Sequence, residues 1–282
     1  MDIQVRPSWL KIKAPRGDNF EHVKQVIAQE RLHTVCSSAA CPNMAECWNI
    51  GTATFMILGN QCTRACRFCN VATSKRPLPV DLDEPARLLN AVIKMRLKHV
   101  VITSVARDDL ADGGALQFAR VLKTLKTHTD VTTEVLVPDF FGDINNLKLV
   151  LEQKPNIFNH NLETIRRLTP KIRSGAQYER SLKLLQDAKK LAPDIITKSG
   201  LMLGLGEDDE EIKEAITDIK AHGCDNLTIG QYLRPTPKHH EVMRFAPPET
   251  FLFLGNFAKN LGFRHVVSGP LVRSSYHAQD GL

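Results

Sequence analysis

The 282 residues are 43% hydrophobic and 24% charged, which excludes a disordered chain and gives enough apolar surface for one large α/β barrel or two smaller domains. No apolar run reaches membrane-spanning length, and the segment after Met1 lacks a signal peptide's centre and cleavage site, so the expected location is cytoplasmic and a membrane role is excluded. The formal net charge of +6 suits an anionic small molecule or an acidic protein, but the charges form no long run, so most belong to a solvated surface.

In chain order, residues 1–50 do not fit a strand–helix pattern and hold three cysteines of their own, so they are expected to form an extension laid over the main body. From residue 51 onward, short β-branched stretches alternate with longer segments of helical period. The expected strands are Thr54 to Leu58, His99 to Ser104, Thr132 to Val137, Asn156 to His160, Ile195 to Leu203, Asn226 to Tyr232 and a weaker one at His265 to Ser268. Amphipathic helices are expected at Glu84 to Leu97, Ala115 to Lys126, Tyr178 to Leu191 and Glu207 to Ala221. Strands that alternate with helices require crossovers and hence a parallel sheet. The predicted fold is therefore α/β, a partial or full (β/α) barrel of about six parallel strands over 51–270, followed by a tail at 271–282. In such a barrel the chemistry sits on loops at the C-terminal ends of the strands.

Seven cysteines, odd in number and clustered early, argue for metal or cluster ligation over a disulfide framework. Directly after the first expected strand come Cys62, Cys66 and Cys69, spaced Cys-x3-Cys-x2-Cys. Thiolates are soft ligands that suit zinc, copper(I) or iron-sulfur clusters. Three of them on a four-iron cluster leave one iron open, and that corner can take the amino and carboxylate groups of S-adenosylmethionine. Zinc with a distant fourth ligand is the alternative, although zinc sites usually bring their cysteines in two pairs. A second triplet, Cys36, Cys41 and Cys47, has gaps of four and five residues. Cys224 stands alone before a strand and is expected to be a small buried apolar residue.

The first triplet, with Phe68 before its last cysteine, resembles the radical S-adenosylmethionine superfamily. The second triplet closely followed by the first resembles the lipoyl synthase family. Arg6-Pro7-Ser8-Trp9-Leu10, Asn159 to Thr164, Lys198 to Gly204, Gln231 to Thr236 and Arg273 to Ala278 are similar to that family's motifs, so the resemblance covers nearly the whole chain. It implies two 4Fe-4S clusters and S-adenosyl-L-methionine as cofactors. Cys62, Cys66 and Cys69 would hold the cluster that cleaves S-adenosylmethionine. Cys36, Cys41 and Cys47, with Ser274 from the tail, would hold a second cluster consumed as the source of sulfur. The implied reaction is radical insertion of two sulfur atoms at carbons six and eight of a protein-bound octanoyl group, forming lipoyl-lysine. The implied partners are octanoylated lipoyl carrier domains, namely 2-oxo acid dehydrogenase E2 subunits and the glycine cleavage H protein, with ferredoxin or flavodoxin as electron donor and no nucleic acid.

Polar residues at expected strand ends are the candidates for holding the nucleoside: Ser104, Asn161, Glu163 and Lys198 for the ribose hydroxyls and the methionine amine, and Arg173 for the methionine carboxylate. Arg166, Arg167, Lys171 and Arg173 fit a solvated or carrier-docking face equally well. Gly204-Leu205-Gly206 lacks the dinucleotide spacing and is followed by acidic residues, so a strand-to-helix turn is expected there. His239 and His240 fall in an expected surface loop. Within enzymes the rival is a radical methylthiotransferase, which usually carries larger flanking domains; biotin synthase has its second-cluster ligands scattered on barrel strands. Outside enzymes the rival is a cluster carrier or a zinc-stabilised binding module.

Overall fold

A computed structural model describes residues 7–11, 17–39, 41–49 and 52–282; Arg6 of the N-terminal motif and the expected boundary at 50 and 51 lie outside them. The first helix, α1 (Asp18–Gln29), buries Phe20, Val23 and Val26, and the Phe20 ring lies 5.0 Å from that of Trp48. After it, β1 (His33–Thr34) runs straight into α2 (Val35–Ser38), whose N-terminus is capped by Thr34 Oγ1 accepting from Ser37 N–H at 3.3 Å, and α3 (Met44–Asn49) follows.

The main body then runs β2 (Thr54–Ile57), the short mutually paired β3 (Gln61–Cys62) and β4 (Ala72–Thr73), α4 (Glu84–Lys94), β5 (His99–Ser104), α5 (Ala115–His128), β6 (Thr132–Leu136) and α6 (Ile144–Leu151). It continues through β7 (Ile157–Asn159), α7 (Thr169–Ile172), α8 (Tyr178–Leu191), β8 (Ile196–Leu203), α9 (Asp209–Ala221), β9 (Asn226–Gln231), α10 (Pro248–Asn260) and β10 (His265–Ser268). The sheet order is β1-β2-β5-β6-β7-β8-β9-β10, parallel from β2 to β10, with β1 antiparallel on β2. The parallel run thus has seven strands, the six expected and the weaker one at His265–Ser268. Every residue of β2 and of β9 is buried, as parallel strands covered on both faces must be.

In the main body three helices go beyond those expected, the single turn α7 and the longer α6 and α10. Helix α6 has only eight residues, and α10 exposes Leu252 and Phe253 while burying Phe251 and Leu254, so neither presents one clean apolar stripe. The expected turn at Gly204 is present. Gly204 and Gly206 have φ of +99° and +108°, and the Glu207 carboxylate accepts from Gly204 N–H at 2.6 Å and Leu205 N–H at 2.8 Å. The chain's own carboxylate occupies the donors a phosphate would need. Asp208 and Glu211 then form a capping box that starts α9.

One apolar core joins β2, β5 and β6 to α4, α5 and α6 and also takes in Phe20, Leu32, Cys36 and Trp48 from the extension. A second packs β8 and β9 against α9 and α10 and includes the buried Cys224. Among the described residues β10 pairs only with β9, so the sheet is a partial barrel with one open side. Among the described residues no helix is long and apolar enough to cross a membrane.

Candidate active site

The C-terminal ends of the parallel strands surround a cavity of about 420 Å³, within the roughly 300–1,000 Å³ typical of cofactor pockets. Its wall includes Cys62, Cys66, Phe68, Cys69, Ser104, Asn161, Glu163, Arg173 and Ser274, so nine of the expected site residues meet there. Lys198 does not. It lies on β8 two residues before Gly200, toward the N-terminal end of the strand, and its ammonium donates to both Glu134 oxygens at 3.0 and 2.9 Å. Only the later residues Gly200, Leu201 and Met202 of that strand reach the cavity.

The cysteine loop is pinned on three sides. Thr63 N–H and Oγ1–H both donate to the Ala106 carbonyl at 3.0 Å, Arg67 N–H donates to the Ile172 carbonyl at 2.8 Å, and His240 N–H donates to the Arg67 carbonyl at 2.8 Å. His239 Nε2 lies 3.0 Å from the Cys69 carbonyl and His240 Nε2 lies 2.9 Å from the Leu205 carbonyl. Both histidines therefore brace the loop and do not belong to a free surface turn. Arg64, between the first two cysteines, chelates Asp108 at 2.8 and 3.0 Å and reaches Asp139 at 2.7 Å. Burial pushes the Asp139 carboxyl up, but the Arg64 hydrogen bond and charge outweigh it, with His160 and Arg180 adding to them, and hold it at about 2.

The donor chemistry fits a soft, positively charged group. Cys62 Sγ accepts backbone N–H from Arg64 at 3.4 Å and Ala106 at 3.3 Å, which fixes the direction of its sulfur. Burial raises Cys69 to about 12, and the neighbouring Cys66 and Cys62 add to the rise, so the three thiols face one another. Among the described residues no three His, Cys, Asp or Glu side chains are gathered tightly enough to hold a single metal ion.

The polar wall fits S-adenosylmethionine. Ser104 Oγ and Asn161 Oδ1 are buried without a hydrogen-bond partner, which is costly unless a ligand supplies one. A Cβ on Gly200 would lie 2.7 Å from Thr228 Oγ1 and 2.9 Å from Asn161 Oδ1, so glycine keeps this part of the cavity open. Glu163 adopts φ +65°, a strained value for a non-glycine residue, fixed by Glu163 N–H to the Gly200 carbonyl at 2.8 Å and Met202 N–H to its own carbonyl at 2.9 Å. Burial raises its carboxyl, against the lowering pull of Arg173 and Asn161. Arg173 is tied to Ser181 Oγ at 2.9 Å and the Asn161 carbonyl at 3.0 Å, with its charge facing Glu163 and Cys66.

A second, narrower cavity lies on the open side of the barrel. Its wall is made by Cys36, Cys41 and Cys47, the start of β2, His99 and Val101 of β5, and tail residues that include Ser275 and Tyr276. Ser274 lines the larger cavity, and Arg273 lines both. Burial, then the Cys36 and Cys41 thiols, push Cys47 up to about 12; burial raises Cys36 to about 11, partly offset by the Trp48 indole N–H that faces it. That indole nitrogen has no nitrogen or oxygen partner, so the thiol donors fit a cluster here too, with free space of about 30 Å³, one water's share.

Arg64, Asp139, His239, His240, Trp48 and Arg273 were not among the expected site residues. Arg64, Trp48 and Arg273 stand within or next to cysteine and serine motifs, which was the signal available; Asp139 is brought in only by tertiary structure.

The model of the Radical SAM superfamily matches residues 56–219, and that of the N-terminal domain of lipoyl synthase of the Radical SAM family matches residues 3–41. The chain is 53% identical over 279 residues to a lipoyl synthase of Geobacillus sp. (strain WCH70), covering 98% of this chain and 93% of that one. It is 52% identical to the lipoyl synthase of Thermus thermophilus, covering 97% and 85%. Among solved structures, Streptococcus suis SuiB bound to S-adenosylmethionine superposes with a TM-score of 0.60 at 12% identity over 80% of this chain and 53% of that one. Methylornithine synthase superposes with a TM-score of 0.54 at 13% identity over 88% and 81%, a likeness of fold alone. On this evidence of sequence, with a parallel barrel to match, the chain belongs to the lipoyl synthase family of radical S-adenosylmethionine enzymes.

Proposed function

We propose that the barrel cavity and the cavity on its open side divide the two halves of the lipoyl synthase reaction, radical generation and sulfur donation, between them. The chain is a sulfurtransferase that uses S-adenosylmethionine and two 4Fe-4S clusters to insert two sulfur atoms into a protein-bound octanoyl group. Residues 51–270 form the radical barrel, residues 1–50 bring the cysteines of the second cluster, and the tail at 271–282 supplies its serine. When bound, the first cluster and S-adenosylmethionine supply the radical that removes hydrogen, and the second cluster supplies sulfur.

Cys62, Cys66 and Cys69 hold the first cluster, with the Cys62 sulfur oriented by two backbone N–H groups. Ser104 and Asn161 take the ribose hydroxyls, Glu163 takes the methionine amine, Arg173 takes the carboxylate, and Phe68 packs on the nucleoside side of the loop. Cys36, Cys41, Cys47 and Ser274 hold the second cluster. Ser274 lines the barrel cavity, and its neighbours Arg273 and Ser275 line the cavity of the second triplet. The observation that carries the reading is that shared wall: a carbon activated in the first cavity has sulfur as its nearest reactive neighbour. The carrier substrates are lipoyl domains of 2-oxo acid dehydrogenase E2 subunits and the glycine cleavage H protein, with ferredoxin or flavodoxin as reductant in the cytoplasm.

The test is anaerobic incubation of the reconstituted chain with an octanoyl-lysine peptide, S-adenosylmethionine and a reductant, followed by peptide mass analysis. Gain of two sulfur atoms is expected. Transfer of a methylthio group, or cofactor cleavage with an unaltered peptide, would overturn the assignment.

A further inference from the structure

The tail is bound to the cysteine-bearing extension by two long-range hydrogen bonds, with His277 Nε2 also 3.6 Å from Glu46 Oε1. Asn43 Nδ2 donates to the Leu271 carbonyl at 2.7 Å, and Tyr276 Oη donates to Glu46 Oε1 at 2.9 Å. Asn43 and Glu46 flank or occupy α3, the helix that carries Cys47. Between the two contacts lies the run from Val272 to Ser275, which walls both cavities. Further on, the Gly281 carbonyl accepts from Asn226 Nδ2 at 2.9 Å, so the tail crosses from α3 to the N-terminal end of β9. A Cβ on Gly230 would collide with the Val272 carbonyl, so the tail lies directly against β9.

We infer that Glu46 and Tyr276 are positioning residues: they form a latch that seats the tail over the second cysteine triplet and controls passage of iron and sulfide to it. The inference rests on the reading of Cys36, Cys41 and Cys47 as cluster ligands. Three observations carry it. The contact is local to the triplet, because Glu46 precedes Cys47 directly. It is made by a carboxylate, so the hydrogen bond is charge-assisted and stronger than a neutral one. Tyr276 itself lines the cavity of the three cysteines, so the contact is part of that cavity's wall. Arg273, between the two contacts, faces Cys41 on one side and Glu163 on the other and lines both cavities.

The test uses the full-length chain with Tyr276→Phe, Glu46→Leu and the conservative Glu46→Gln, which retains an acceptor for the phenol. The first measurement is hydrogen exchange of the segment 271–282 in cluster-free protein. The second is the rate at which a chelator strips iron from the reconstituted chain. Tyr276→Phe and Glu46→Leu are expected to speed exchange of the tail roughly ten-fold, with Glu46→Gln close to the parent. The same two variants are expected to release about four of eight irons roughly ten-fold faster while the remainder leaves at the parent rate. Tail exchange at the parent rate in all three variants would overturn the latch, and so would a loosened tail with unchanged iron release. A parent chain that assembles only about four irons would instead sink the two-cluster reading, whatever the tail does.

Discussion

Replacing Lys198 by methionine separates a structural role from cofactor binding at the one expected site residue that lies off the cavity. Its ammonium spans both Glu134 oxygens at 3.0 and 2.9 Å, and the two side chains are 5% and 0% exposed. Removing the cation leaves a buried carboxylate whose remaining donor is Asn159 Nδ2 at 2.8 Å. Breaking such a pair costs about 3–5 kcal/mol. At the ~2–4 °C per kcal/mol typical of large domains, the melting temperature of Lys198→Met should fall by about 6–20 °C. The double variant Glu134→Leu with Lys198→Met removes both charges and should recover most of the loss, since exchanging a buried pair for apolar residues is often neutral. The assay is thermal unfolding by circular dichroism, with S-adenosylmethionine binding measured by calorimetry well below the transition. A melting temperature within 2 °C of the parent, with cofactor affinity down roughly ten-fold, would refute the reasoning and place Lys198 at the cofactor after all.

Cys66→Ala should abolish reductive cleavage of S-adenosylmethionine and leave about four of eight irons, whereas Cys47→Ala should keep cleavage to 5′-deoxyadenosine and lose sulfur insertion; iron analysis and product chromatography check both. Asn161→Ala should weaken S-adenosylmethionine binding about ten-fold by calorimetry, through loss of the buried amide oxygen that lacks a protein partner. Burial holds His99 and His160 neutral, each down at about 4 from 6.5, with the cations Lys198 and Arg173 adding to the shift. Their folded values lie below their unfolded ones, so the unfolded chain binds protons first: stability is intact above pH 6.5 and is lost as the pH falls toward 4. The loss is at most about 3 kcal/mol per histidine, readable as a falling urea midpoint between those pH values.

The parallel fold was legible because short β-branched runs such as His99–Ser104 alternate with longer segments of helical period, and that alternation requires crossovers. The cysteine loop was legible because its spacing is local. What pins that loop is not local. Asp139 lies 75 residues from Arg64 and His239 lies 170 from Cys69, so only the folded barrel brings them together. Lys198 misled for a different reason. Period-2 alternation says which face of β8 a residue takes, but the height at which it meets the barrel interior depends on the register with β7 and β9.

The open side of the barrel explains why one chain can hold two cluster sites. A sheet that ends at β1 and β10 exposes unpaired edges that must be covered. Here the extension covers β2 through β1, and the chain leading from β10 into the tail continues along β9 through the Gly269 N–H to the Ile229 carbonyl at 3.0 Å and the Gln231 N–H to the Pro270 carbonyl at 3.3 Å. The extension and the tail are also the segments that carry the second triplet and the serine motif. Closing the barrel by pairing β10 to β2 would satisfy the edges but leave no gap between them for a second group beside the first. The two cavities therefore share one side chain, Arg273, and the second is walled by the extension and the tail together with residues of β2 and β5.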